Sequence, residues 1–188
     1  PQWEKLGFTL KPLGLKPPSK LTQDYGRWKD PSQKHQKDWP FVFKHVIAVS
    51  TMLRGTSLAV IDSFVRYHWA IGVNHIFLFF DDAEDPAIQV AKDYAGIVAD
   101  EVMDVSLSVF VMNDSWWECA IQKSRFFVRR EKSEKYEEIC RSHEKYRDVE
   151  SRRTIALDIA ILEAHARKVD WFVHLDIDEC LYVPQRLG

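Results

Sequence analysis

The sequence predicts an α/β domain in which helices flank a mostly parallel sheet. From about residue 45 onward, strand, helix, strand, helix and strand segments follow one another through short links. The strand segments are apolar runs, and three of them are followed directly by polar or acidic residues. Regular alternation of strands and helices is typical of parallel sheets, which bind ligands outside the carboxyl ends of their strands. We therefore expect the polar residues at the strand ends to form the functional site.

The first strand–helix–strand unit has clear local signals. Residues 45–51 are rich in β-branched side chains and predict a buried strand. Ser57 can cap a helix over residues 58–70, whose apolar side chains recur at helical spacing. Gly72 marks the end of that helix, and residues 75–80 predict a second buried strand that ends in a run of acidic residues.

Weaker signals follow in the middle of the chain. Asp85 and Pro86 have the cap and first-turn proline of a helix that we expect to run to about Tyr94. Residues 97–105 predict a third, weaker strand. Residues 151–168 predict a long helix with an apolar face.

The chain divides into an N-terminal arm over residues 1–41 and a domain over residues 42–188. The arm contains most of the prolines, which exclude a helix or a central strand there. Within the domain, a charged insertion covers about residues 113–150. We expect a loop at 113–117, and for the interleaved charges of 131–150 a solvated helix or a mobile segment.

Composition and simple motifs give no support to several functional classes. The formal net charge of −2 gives no argument for binding nucleic acid or an acidic membrane surface. No apolar run approaches the length of a membrane span. The 3 cysteines show neither a paired metal-binding spacing nor a disulfide framework. A glycine-rich phosphate loop is also missing from the sequence, so a metal ion would have to bind phosphate instead.

The chemically most informative stretch lies near the end of the chain. Residues 171–175 predict a buried strand that leads into Asp176, Asp178 and Glu179. On an extended backbone Asp176 and Asp178 would project to one side, where two carboxylates repel each other unless a cation lies between them. Oxygen ligands of this kind suit Mg²⁺ or Mn²⁺. An acidic turn without a metal is the simpler alternative.

The segments YHWAIGVNHIFLFFDD and WFVHLDIDECLYV resemble glycosyltransferases of the GT-A fold, most closely the family-2-like and family-92-like group. The resemblance covers roughly residues 46–183. It implies a Rossmann-like α/β fold, a nucleotide-diphosphate sugar of the UDP or GDP type as donor, and Mn²⁺ or Mg²⁺ as cofactor. Because only residues 181–188 follow the D-x-D-E motif, we expect a fragment that holds mainly the donor-binding half, with the general base and the acceptor site beyond Gly188.

Carried over position by position, the resemblance implies that Asp178 is the direct metal ligand. It implies that Asp176 holds the ribose or a water on the metal, and that Asp81 contacts the base of the donor. The residues with implied donor-binding roles are Thr51, Arg54, Asp81, Arg152, Arg153, Asp158 and Asp176.

Several nearby residues are expected to have structural roles. We expect a structural hydrogen bond for Glu179, packing roles for His68 and His174, and a buried Cys180. Three arginines of the charged insertion are expected to lie on a solvated face rather than to bind an anion: Arg125, Arg129 and Arg130.

Two other functions compete with the transferase. One is a nucleotide-binding or interaction domain that keeps the fold without catalysis. The other is a phosphotransferase of the haloacid-dehalogenase type, although such enzymes carry D-x-D on their first strand and need Thr or Val where this chain has Cys180. A calcium loop does not fit the spacing of the oxygen ligands. A eukaryotic parent with an upstream anchor would place the chain in the Golgi or another secretory membrane, and a bacterial parent in the cytoplasm.

Overall fold

A computed structural model describes residues 45–101 and 105–182. The predicted α/β class is confirmed: four strands form one parallel sheet in the order β3-β2-β1-β4. The strands are β1 (Ile47–Leu53), β2 (His75–Phe80), β3 (Ser106–Val111) and β4 (Trp171–His174). The proposed arm over residues 1–41 lies outside the described residues.

Helices connect and cover these strands. They are α1 (Leu58–Ala70), α2 (Ala87–Glu101), α3 (Asp114–Lys123), the short α4 (Arg125–Val128), a 3₁₀ turn (Arg130–Lys132), α5 (Glu134–Tyr146) and α6 (Val149–Ala166). None of the helices in the described ranges combines the length and the apolar character that crossing a membrane requires.

The predicted boundaries of α1 are confirmed by its capping contacts. The side chain of Ser57 accepts a hydrogen bond from the Val60 amide, as expected of an N-cap residue. Two residues beyond the helix, Gly72 has a φ of 100°, a conformation that glycine adopts without the steric cost of a side chain. Local sequence signals therefore suffice to define this helix.

The third strand was predicted too early in the chain. The structure continues α2 to Glu101 and begins β3 at Ser106, which pairs with His75 of β2. The segment 97–105 contains alanine as well as β-branched residues, and periodicity cannot separate a short strand from the last turns of a helix. The single Gly96 costs a helix only about 1 kcal/mol, so it does not end α2.

Two apolar layers cover opposite faces of the sheet, because neighbouring strand residues point to opposite sides. Val49 and Ile76 pack in the layer that contains α1 and α2. Ala48 and Phe77 pack in the other layer, which contains side chains of α3 through α6. The sheet is therefore a central layer between helices.

The charged insertion is part of this second layer. Trp117, Phe126 and Cys140 are buried in it, although the helices that carry them are charged on their outer sides. The loop predicted at 113–117 is wrong: Asn113 accepts a hydrogen bond from the Trp116 amide and caps α3. Together with α6, the insertion therefore supplies the apolar layer on one face of the sheet.

The prediction of a buried last strand is also wrong. β4 pairs only with β1 among the described strands, and Trp171 is 63% exposed. An apolar run predicts a strand but does not tell whether that strand lies at the centre or at the edge of the described sheet.

Candidate functional site

The order of the strands defines where a ligand would bind. The chain runs from β1 outward to β2 and β3, and then returns to place β4 on the other side of β1. Open parallel sheets bind ligands outside the carboxyl ends of the strands at such a reversal of direction. Thr51 near the end of β1, Asp81 after β2 and Asp176 after β4 all lie on this side of the sheet.

A buried ion pair lies at the ends of β1 and β2. Arg152 of α6 places its Nη2 atom 2.7 Å from Oδ1 of Asp81, and the same atom donates a hydrogen bond of 2.9 Å to the Asp81 carbonyl. The two side chains are 14% and 1% exposed. Arg54 lies farther away, with Nη1 3.7 Å from Oδ2 of Asp81. The structure therefore brings three of the predicted donor-binding residues together.

Neighbouring residues hold this pair in place. The Asp81 amide donates to the Leu53 carbonyl at 2.9 Å, which joins the end of β2 to the end of β1. The Arg152 guanidinium lies 5.5 Å from the ring centroid of Trp117, within the range of a cation–π contact. Sequence reasoning missed Trp117, because nothing local indicates that α3 reaches the sheet.

The turn that carries Arg54 is fixed by a single carboxylate. Asp85 accepts a hydrogen bond of 2.9 Å from the Ala87 amide as the predicted cap of α2. Its second oxygen accepts from the Gly55 amide at 2.7 Å, where Gly55 has a φ of 61°. Asp85 therefore also positions the residue next to Arg54, a role that the sequence did not reveal.

Four buried polar atoms near these strand ends lack a hydrogen-bond partner among the described residues. They are Oγ1 of Thr51, Oδ1 of Asp81, Nε of Arg152 and Nε2 of His174, of which Oδ1 of Asp81 has only its ion pair with Arg152. A buried polar group without a partner costs about 1–3 kcal/mol, and such groups are rare in folded proteins. Their concentration at the reversal of strand order indicates a functional region.

The segment 176–179 does not continue the strand. Instead it forms a turn, in which the Glu179 amide donates to the Asp176 carbonyl at 3.0 Å. The carboxylate of Glu179 accepts from the Asp176 amide at 2.9 Å, so the structural hydrogen bond expected of Glu179 is present. The extended geometry that would place Asp176 and Asp178 on one side is therefore wrong.

Asp176 and Asp178 are both exposed in this turn. The Oδ1 atom of Asp176 lies 3.0 Å from Nη1 of Arg153, whose Nη2 atom lies 2.6 Å from Oε2 of Glu150. Within residues 45–101 and 105–182, no group of three or more acidic, His or Cys side chains converges as a metal site would require.

A cleft of about 320 Å³ lies between the start of α6 and the turn. Its lining residues are Glu150, Arg153, Thr154, Leu157, His174, Asp176 and Glu179. Burial and the nearby Arg153 charge lower the pKa of His174, and its Nδ1 atom lies 2.8 Å from the Ser50 hydroxyl. Ser50 thus joins β1 to the wall of the cleft, a role that sequence reasoning missed.

Asp158 lies apart from these residues. Its carboxylate accepts hydrogen bonds of 2.8 Å from the Ser124 hydroxyl and from the Arg125 amide, and it pairs with the Arg125 guanidinium at 3.0 Å. It is buried and follows Arg152 by six residues, about 9 Å along the helix axis. Asp158 thus connects the start of α4 to α6, and it lies away from the other predicted donor-binding residues.

The structural roles expected of two histidines and one cysteine can be compared with their surroundings. His68 is buried, with Nδ1 2.8 Å from the Phe64 carbonyl, which confirms its packing role. His174 packs as expected but keeps one ring nitrogen without a partner among the described residues. Cys180 is exposed rather than buried, because it follows the turn instead of continuing β4.

The arginines of the insertion face solvent or carboxylates. Arg129 is exposed, and Arg130 pairs with Glu137 at 2.6 Å and with Glu144 at 2.7 Å. These contacts fit the expected solvated face.

No protein-family model, no curated protein and no solved structure matches the chain.

Proposed function

We propose that this chain binds a nucleotide-diphosphate sugar and contains the donor-binding part of a metal-dependent glycosyltransferase. The observation that carries the proposal is the convergence of polar side chains from β1, β2, β4 and α6 where the strand order reverses. Parallel α/β sheets bind nucleotides at this position. The resemblance of the D-I-D-E segment to GT-A enzymes supports the choice of a sugar nucleotide.

The two parts of the site suit two parts of such a donor. The buried part, with Asp81 fixed by Arg152 and flanked by Arg54, offers hydrogen-bonding groups for the nucleoside. The exposed part, with Asp176 and Asp178, offers carboxylate oxygens beside the diphosphate. This division follows the burial of the two parts, because a charged diphosphate is more easily accommodated near solvent.

Asp178 and Asp176 would hold the Mn²⁺ or Mg²⁺ ion, together with phosphate oxygens of the donor. When bound, the ion would act as a Lewis acid that neutralises charge on the departing nucleoside diphosphate. The protein's own contribution is positional: Glu179 fixes the turn through the Asp176 amide, and Ser50 and His174 join the turn to β1.

Calorimetric titration tests the proposal directly. UDP and GDP are titrated into the full chain with and without Mn²⁺, and the titrations are repeated with Asp178→Ala. Glu118→Ala is the matched control, because it removes an exposed carboxylate on α3. We expect binding of one nucleotide that requires Mn²⁺, that weakens at least tenfold in Asp178→Ala and that is unchanged in Glu118→Ala. No binding of either nucleotide by the folded chain would contradict the proposal.

A nucleotide-binding domain without a metal is the second candidate. It is favoured by the ion pair that already joins Asp176 to Arg153 and by the absence of a third ligand among the described residues. The same titration separates the two, because this alternative predicts equal affinity with and without Mn²⁺. A dehalogenase-type phosphotransferase is disfavoured, since the D-x-D segment follows the last described strand, at the edge of the sheet.

A further inference from the structure

We propose that Tyr67 and His68 of α1 form a clamp on the backbone of Leu181, and that acid opens this clamp by protonating His68. The clamp holds the segment that follows the turn of residues 176–179. Tyr67 and His68 are positioning residues here. The inference concerns how the turn is held, so it goes beyond the proposed function and does not depend on which ligand the turn serves.

The clamp consists of two side chains that bind both polar backbone groups of one residue. The Tyr67 hydroxyl donates a hydrogen bond of 2.9 Å to the Leu181 carbonyl. The Leu181 amide donates to Nε2 of His68, with 3.4 Å between the two nitrogens. Leu181 lies outside the helices and strands of the described chain, so side chains of α1 supply the partners that secondary structure would otherwise provide.

The second contact requires a neutral His68 ring. Nδ1 of His68 lies 2.8 Å from the Phe64 carbonyl oxygen, which can only accept, so Nδ1 carries the proton. The other ring nitrogen of a neutral imidazole is then an acceptor, as the Leu181 amide needs. Protonation would place an N–H group on Nε2 opposite the Leu181 N–H group. Two donors cannot bind each other, so the charged ring is incompatible with the closed clamp.

The closed clamp and the protonated ring are therefore linked equilibria. Burial lowers the pKa of His68, and the hydrogen bond to the Phe64 carbonyl raises it by less. A ring released to water would return toward the ordinary value of about 6.5. The clamp is thus fully formed above about pH 6.5 and is lost as the pH falls through the lowered pKa of the closed state.

The charged groups around His68 do not favour its protonation. The titratable side chains on α1, β4 and the segment through residue 182 are Asp62, Arg66, Tyr67, His174, Asp176, Asp178, Glu179, Cys180 and Tyr182, and β1 carries none. Asp62 and Arg66 pair with each other at 2.7 Å, and the acidic side chains of the turn are exposed. Within residues 45–101 and 105–182, no ion pair joins His68 to a carboxylate.

The clamp bears on the candidate site because it fixes one end of the turn. At the other end, β4 pairs with β1. Between the two ends, Ile177 packs in the apolar layer that contains α1. Opening the clamp would release the chain after the turn and leave β4 in the sheet. Acid should therefore loosen the turn from its C-terminal side.

Nuclear magnetic resonance of the full ¹⁵N-labelled chain tests the clamp without any ligand. The ring nitrogens of His68 and the amide of Leu181 are followed from pH 7.5 to pH 5. At pH 7.5 we expect the ring to carry its proton on Nδ1. As the pH falls, both signals should change with one shared midpoint, below the ordinary histidine pKa of about 6.5.

Two variants and a matched control sharpen the test. Tyr67→Phe removes one of the two contacts, so the opening constant should rise about two- to tenfold. The midpoint should accordingly move up by about 0.3–1 pH units. Tyr146→Phe is the control, because it removes an exposed tyrosine hydroxyl on α5. In His68→Gln, the Leu181 amide should lose its dependence on pH in this range.

Several results would overturn the clamp. One is a neutral His68 ring with its proton on Nε2, which could not accept from Leu181. Another is a Leu181 amide that stays unchanged while His68 titrates, or that keeps its pH dependence in His68→Gln. Equal midpoints in Tyr67→Phe and Tyr146→Phe would also contradict it. The tautomer and the effect of Tyr67→Phe decide the question even if His68→Gln does not fold.

Discussion

Two parts of the candidate site have the same chemistry in different surroundings. At the ends of β1 and β2, Asp81 pairs with Arg152 in a largely buried position. Beyond β4, Asp176 pairs with Arg153 in an exposed turn. The two arginines are consecutive in α6, yet one is held by the fold and the other lies on the wall of a cleft.

One helix therefore contributes to two ion pairs of different strength. A buried pair is expensive to break, because removal of one partner leaves an unpaired charge away from water. An exposed pair is nearly neutral in energy and can exchange partners. We infer that the first part of the site exists before any ligand arrives, and that the second part takes its final arrangement around the ligand.

Two matched variants should differ clearly in their free energy of unfolding. Arg152→Met should lower the free energy of unfolding by about 3–5 kcal/mol, because it leaves the Asp81 carboxylate buried without its nearest partner. Arg153→Met should lower it by no more than about 1 kcal/mol. Urea denaturation of the two variants at neutral pH measures both values. Equal losses would show that the two pairs do not differ as their burial suggests.

A smaller loss of stability is expected at acidic pH. Burial, with lesser contributions from Arg147 and Arg152, lowers the pKa of His143 to about 4. The unfolded chain has a value of about 6.5 and takes up a proton at higher pH than the folded protein. Stability is therefore fully present above pH 6.5 and falls as the pH drops toward 4, by roughly 2–3 kcal/mol for this residue.

Protonation of His143 should disturb the buried part of the site. The His143 ring lies against Trp117, with ring centroids 4.2 Å apart, and Trp117 in turn contacts Arg152. His143→Gln should reduce the loss of stability between pH 7.5 and 4.5, measured by urea denaturation at both values. His165→Gln, at an exposed position of α6, is the control. Identical pH dependence in His143→Gln and the unaltered chain would contradict the assignment. Burial also lowers the pKa of His68, His75 and His174, so part of the dependence should remain in every variant.

The comparison also shows which features the sequence could predict. The capped helix α1 and the strands that flank it follow from local patterns of apolar and capping residues. Placing Asp81 and Arg152 in one site followed from the rule on strand ends together with the resemblance, although 71 positions separate them in the chain. These predictions depend on short segments or on general topology.

The features that the sequence did not reveal depend on contacts between distant segments. Residues 131–150 look solvated along the chain and 113–117 look like a loop, yet Trp117 and Cys140 are buried because α3 and α5 join the apolar layer on one face of the sheet. Asp158 lies on the face of α6 that meets Ser124 and Arg125, which no local pattern indicates. The D-x-D segment turns instead of extending, since its geometry depends on the Glu179 carboxylate reaching back to the Asp176 amide.

The most direct test of the account is hydrogen–deuterium exchange of the full chain, with and without UDP and Mn²⁺. If the second part of the site forms around the ligand, peptides covering residues 174–182 should exchange several-fold more slowly once both ligands are bound. Peptides covering residues 47–53 and 75–81 should exchange slowly in both states, because these strands are buried and paired without ligand. Unchanged exchange at 174–182 under saturating ligand, or slowing confined to the two strands, would contradict the account.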